Sequence, residues 1–118
     1  MQNYKDLKVW QKSHLKVLKV YQLTNNFPKN EIYGLVSQYR RSAVSVSANL
    51  VEGCGKFTSN DIANFFQVAL GSLHETEYYN LLSRDLAYIS EHDYKLMDEQ
   101  LREIKAMLIA LIKTVRNK

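Results

Sequence analysis

The stretch Tyr39–Gly55, YRRSAVSVSANLVEGCG, decides the fold. It reads as a helix with small residues at Ser42, Ala43, Ser45, Ser47 and Ala48 and a polar set at Arg40, Arg41, Asn49 and Glu52. Two glycines, Gly53 and Gly55, follow and are expected to end it in the left-handed conformation that glycine adopts cheaply. Slim side chains let neighbouring helices come close, and polar groups drawn into such packing need partners inside it. Ile32, Val36, Tyr39, Ala43, Val46 and Leu50 recur as the main apolar stripe, which predicts a helix over about residues 31–52. Val44 and Val51 lie off that stripe. A helix touching one neighbour would not need them, so this helix is expected to be covered on more than one side, deep in a bundle or by a second subunit.

Working outward, Asn25-Asn26-Phe27-Pro28 closes an earlier helix, because proline cannot continue one and pushes the preceding residue towards an extended backbone. That first helix is predicted over about residues 6–25, with Leu7, Trp10, His14, Val17 and Tyr21 as its buried stripe. His14 on this stripe reads as a core histidine. Lys5, Lys8, Lys12, Lys16 and Lys19 recur at the same spacing on another side. This basic stripe is either a solvated face or a surface for phosphates or an acidic partner helix. The glutamates that usually pair with lysines one turn away are missing.

Downstream, Thr58-Ser59-Asn60-Asp61 and Ser90-Glu91-His92-Asp93 are capping boxes. They open helices predicted over about residues 59–86 and 91–116. Ile62, Phe66, Ala69, Leu73, Thr76 and Asn80 line the third; Met97, Leu101, Ile104, Leu108, Leu111 and Val115 line the fourth. Gly71 in the third reads as a packing position where another helix approaches. Short connections make an all-α, up-down-up-down four-helix bundle, a single domain over residues 1–118.

Composition agrees: 46% hydrophobic and 24% charged residues suit a soluble globular chain, and scarce glycine and proline favour long helices. The one cysteine, Cys54, excludes an internal disulfide and fits a reducing compartment. Neither a secretory signal nor an apolar run long enough to span a membrane is present, so the cytoplasm is the expected setting. Net charge is only +4, but it is unevenly spread. Residues 1–30 oppose six lysines with Asp6 alone, whereas Asp61, Glu75, Glu77 and Asp85 face only Arg84 in residues 58–88.

Searches for chemistry come out negative. A di-iron site needs Glu-x-x-His pairs, which the chain lacks, and His14, His74 and His92 fall on different helices. Gly53-Cys54-Gly55-Lys56 fails as a phosphate loop, since Leu50 and Phe57 occupy positions that need glycine and a hydroxyl residue. No base neighbours Cys54. No cofactor, metal site or small-molecule substrate is expected, and no catalytic residue. What remains is the polar set: Glu52 or Glu75 paired with Arg40 or Arg41, with Asn49 beside them, as a buried structural network or an interface. Eight tyrosines add to this, since tyrosines off a core stripe mark interfaces more than catalysis.

Tyr4–Trp10, Phe27-Pro28-Lys29, Tyr33-Gly34-Leu35, Gln38–Ser45, Ala48–Gly53 and Ala69–Glu75 together resemble the four-helix proteins encoded in 23S rRNA intervening sequences. The resemblance implies a four-helix bundle that assembles into a barrel-like homopentamer, with the family signature on Arg40, Arg41, Asn49, Glu52, Gly53 and Glu75. The family is similar in turn to the accessory variability determinant proteins of diversity-generating retroelements, basic pentamers that bind a reverse transcriptase and nucleic acid. The reading that follows is a non-enzymatic homo-oligomeric scaffold whose basic first-helix face meets RNA or a nucleic-acid-handling protein. The alternative is a protein–protein assembly module with no affinity for nucleic acid.

Overall fold

The computed structural model describes residues 2–118. Helices α1 (Lys8–Thr24), α2 (Leu35–Cys54), α3 (Ser59–Asp85) and α4 (Glu91–Arg116) form an all-α four-helix bundle, with single 3-10 turns at Tyr4–Asp6 and Lys29–Glu31. Each helix packs on the next, and α1 also meets α4, which closes the bundle. The core runs along its axis through Val20 of α1, Tyr39 and Leu50 of α2, Phe66 and Leu73 of α3, and Met97, Leu101, Ile104 and Leu108 of α4. Each fully buried side chain of this size contributes about 1.5–3 kcal/mol.

The expected caps of the last two helices are in place: Thr58 Oγ1 accepts from the Asp61 N–H at 3.1 Å, and Ser90 Oγ from the Asp93 N–H at 3.0 Å. The apolar stripe of α3 also holds, with Ile62 half-buried and the rest buried.

The first two helices depart from the sequence reading. In α1 the buried line is Val9, Ser13, Val20 and Thr24, one residue away from the expected stripe. Leu7, Trp10 and Val17 sit at its edge, Tyr21 is exposed, and His14 is an exposed residue stacked on Trp10 with ring centroids 5.1 Å apart. The cause is polar: Ser13 and Thr24 have partners on α2, so the helix turns them inward. The second helix starts at Leu35, and Ile32 is 56% exposed instead of in the core. Gly34 leaves the helical region there, and Glu31 supplies the cap, its Oε1 accepting from the Leu35 N–H at 3.3 Å while its Oε2 accepts from the Tyr88 hydroxyl at 2.9 Å. That last bond, with Phe27 against the Tyr88 ring, ties the α1–α2 connection to the α3–α4 connection.

The glycines act differently from expectation. Gly53 is inside α2, and Gly55 follows it with φ −87°. A Cβ on Gly53 would meet the Phe66 ring at 2.7 Å and the Ile62 carbonyl at 3.2 Å, so its role is close approach of α3. The left-handed cap belongs to Ala87, with φ 61°, after α3. There the Tyr88 N–H bonds the Ser83 carbonyl and the Ala87 N–H the Arg84 carbonyl, the pair of bonds that a glycine usually terminates. Ala87→Gly is expected to raise stability by about 1 kcal/mol, because it removes the Cβ penalty at that φ. Gly53→Ala is expected to cost about 1–2 kcal/mol by overpacking Phe66. Urea unfolding midpoints of both variants check the opposite signs.

Candidate functional site

The small residues of α2 become two hydroxyl seams. On one flank Ser47 Oγ lies 2.9 Å from Ser13 Oγ of α1. On the other, Ser45 pairs with Ser72 at 2.8 Å, and Thr76 donates to Ser42 at 2.9 Å, whose own hydroxyl donates to the Tyr39 carbonyl. Deeper in the same seam the Tyr39 hydroxyl donates to Asn80 Oδ1 at 3.1 Å, and Asn80 Nδ2 donates onward to the Tyr94 carbonyl of α4. Asn49 belongs to this flank, its Nδ2 bonding the Ser45 carbonyl and hydroxyl. These pairs satisfy the buried hydroxyls of the two seams, and they are not the charged network expected from the sequence.

The charged members of that set lie outside. Arg40 is half-buried: its Nε donates to Thr24 Oγ1 at 2.8 Å, its Nη2 to Asn25 Oδ1 at 3.1 Å, and its guanidinium lies 4.5 Å from the centroid of the Tyr21 ring. Arg41, Glu52 and Glu75 are exposed. Glu52 makes an i,i+4 pair with Lys56 at 3.8 Å, and Glu75 accepts from the Tyr79 hydroxyl at 3.4 Å. No glutamate pairs with Arg40 or Arg41 among the described residues. The correction has one physical reason: hydroxyl pairs fill the inward flanks of α2, which leaves its long charged side chains on the solvent side.

Two grooves flank that exposed side. Between α1 and α2 a groove of about 590 Å³ is lined by Tyr21, Ile32, Tyr33, Arg40, Arg41 and Val44, among others. Between α2 and α3 a polar groove of about 270 Å³ holds Gln38, Arg41 and Glu75. Val44 is 39% exposed and Val51 half-buried, so among the described residues the outer face of α2 is only partly covered, and of the two covers expected from the sequence, burial deep in the bundle is not the one this chain supplies.

The lysine stripe is divided. Lys12 Nζ pairs with Glu103 of α4 at 2.6 Å, and Lys16, half-buried, hydrogen-bonds Gln100 of α4. Burial, and then the charges of Lys19 and Lys12, lower the Lys16 pKa. The hydrogen bond and charge of Lys12 hold the Glu103 carboxyl below its ordinary value. Lys5, Lys8 and Lys19 form no ion pair among the described residues. Lys12 and Lys16 therefore lie on the α4-facing flank of α1, while its outward pole carries no lysine, arginine or acid: Gln11, His14, Leu15, Leu18 and Gln22, with the two leucines 59% and 54% exposed. Sequence reasoning missed these leucines, although their spacing with Gln11 and Gln22 was visible. Among the described residues no cluster of metal-ligating side chains forms, and no helix is long and apolar enough to cross a membrane.

Against known proteins, residues 5–110 match the family described as 23S rRNA-intervening sequence protein. The fold is similar to the crystal structure of a protein of unknown function from the S23 ribosomal protein family of Bacteroides thetaiotaomicron. The TM-score is 0.84 at 28% identity, over 92% of this chain and 98% of that one. No curated protein matches the chain.

The Tyr39–Asn80 bond is open to test. Burial raises the Tyr39 phenol far above its ordinary pKa. Its neutral form is therefore held in the folded state, and the stability this preserves is complete below about pH 10, where the free phenol is also neutral. Stability is then lost as pH climbs beyond that, by about 1.4 kcal/mol per pH unit for this one group. Tyr39→Phe is expected to cost about 1–2 kcal/mol at pH 7, because Asn80 Oδ1 loses its donor. It is also expected to flatten the alkaline loss relative to the parent chain. Denaturant titrations between pH 7 and 11 measure both.

Proposed function

The chain belongs to the 23S rRNA-intervening sequence protein family, and from that premise we propose a non-enzymatic homo-oligomeric scaffold that associates with RNA or a nucleic-acid-handling protein through the cations of its first two helices. The observation that carries this reading is charge segregation: between Leu7 and Val51 the sequence holds one acid, Glu31, and that carboxylate is occupied by Leu35 and Tyr88. Lys5, Lys8 and Lys19 are left to meet phosphate, with Lys12 available by exchange from Glu103, since an exposed ion pair holds weakly. Phosphate contacts of this kind position a partner without reading sequence.

A second reading, assembly without nucleic acid, is favoured by the outward pole of α1, which carries no lysine or arginine. Leu15 and Leu18 there suit a protein surface and not a phosphate backbone.

Titrating the protein into structured RNA at falling salt separates the readings. The scaffold reading expects binding that weakens steeply with salt, with the slope of log affinity against log salt smaller by about 1 for each of Lys8→Glu and Lys19→Glu. Absence of binding at low salt rejects nucleic acid and leaves the assembly reading.

A further inference from the structure

Two faces of this molecule are complementary to each other, and neither is covered among the described residues. The first is the α1–α2 groove. Its walls are Tyr21, Ile32, Tyr33 and Val44, its rim is Arg40 and Arg41, and Tyr33 is 93% exposed. No acid lines this groove, and Arg41 has no partner among the described residues. The second is the outer side of α3, where Val68, Gly71, Glu75 and Tyr78 follow one another at spacings of three and four and so share a stripe. All four are exposed. Gly71 stands at its centre with nothing within 4 Å of where a Cβ would be. A glycine inside a helix costs about 1 kcal/mol relative to alanine. Among the described residues no contact accounts for that cost, and the space beside Gly71 is open to an element from outside.

We propose that the α3 stripe of one copy docks in the α1–α2 groove of a second copy, with Glu75 towards Arg40 and Arg41, and Val68 and Tyr78 against Ile32, Tyr33 and Val44. This rests on the oligomeric reading above and names the faces that make the oligomer. Charge selects the occupant. The groove is cationic, and α3 carries one cation, Arg84, already engaged with Asp85 and Glu91, so its stripe presents acid alone. The outer side of α4 is a poorer fit because Lys95, Arg102 and Lys113 are interspersed with Glu99 and Glu103. Since the two faces differ, the contact is head-to-tail, and each copy keeps one groove and one stripe free for further copies.

The mass of the full chain in solution, by light scattering, tests this with two variants that leave the monomer intact. Gly71→Gln fills open space on α3 and improves helix propensity, and Tyr33→Asp changes an almost fully exposed side chain. The parent chain is expected above its monomer mass of 13.8 kDa, and each variant alone at that mass with its thermal unfolding retained. Mixed together, the intact groove of the Gly71→Gln chain meets the intact stripe of the Tyr33→Asp chain. The mixture should then double the monomer mass and go no further. A parent chain that assembles while either variant still assembles, or while the mixture stays monomeric, overturns the assignment of faces and leaves the oligomeric reading standing. Assembly of the parent only with an added acidic protein replaces the second copy by that partner. A parent chain that is monomeric at every concentration removes the oligomeric reading itself.

Discussion

The closeness of α2 to α3 is the constraint on which the remaining structure depends. Gly53 sits against the Phe66 ring, and Ser42 and Ser45 meet Thr76 and Ser72 at 2.8–2.9 Å, so the two backbones approach where larger side chains would hold them apart. Such a seam is stable only if every hydroxyl finds a partner, because each buried polar group left unpaired costs about 1–3 kcal/mol. Its residues satisfy one another, and Tyr39 and Asn80 extend the chain of bonds to α4. Once both flanks of α2 are committed to hydroxyl pairs, towards α1 through Ser47 and towards α3 through Ser42 and Ser45, its rotation is fixed. Its remaining side, Arg41, Val44, Ala48 and Glu52, then faces out.

The same commitment fixes α1. Ser13 must reach Ser47, and Thr24 must reach Arg40, so the inward face of α1 is set by two polar residues and not by its most apolar line. That rotation carries Lys12 and Lys16 to α4 and leaves Leu15 and Leu18 at the outward pole. The surface chemistry of the molecule is therefore a consequence of its internal hydroxyl pairing.

This explains which parts were legible in the sequence. Helix number, the capped starts at Ser59 and Glu91, and the inward line of α3 follow from local signals, and they agree with the structure. The inward line of α1 does not follow from local signals. Trp10, Leu15, Val17, Leu18, Val20 and Tyr21 place apolar side chains around most of that helix, so hydropathy supports two stripes one residue apart. The true one contains Ser13 and Thr24, which hydropathy discounts, and their partners lie 34 and 16 residues away. The α2 start was misread for a related reason: its cap is the side chain of Glu31 held by Tyr88, 57 residues distant. Of the candidate site, residue types were legible but placement was not. Arg41, Glu52 and Glu75 do share an exposed region, whereas the pairing expected for them inside the bundle was taken by hydroxyls that cost less to desolvate than ions.

Closed seams also decide where this bundle has room for another molecule. A bundle that holds a ligand between its helices needs room there, and the interior gap lined by Ser13, Lys16, Thr76 and Ile104 measures about 10 Å³, near the minimum for a single water. Widening it would separate the Ser13–Ser47 and Ser42–Thr76 pairs and leave hydroxyls stranded in apolar surroundings. The space available without that penalty lies outside, and the groove between α1 and α2, at about 590 Å³, offers more of it than the interior does. Slender residues that draw the helices together inside thus leave the accessible space of this bundle to its outer faces.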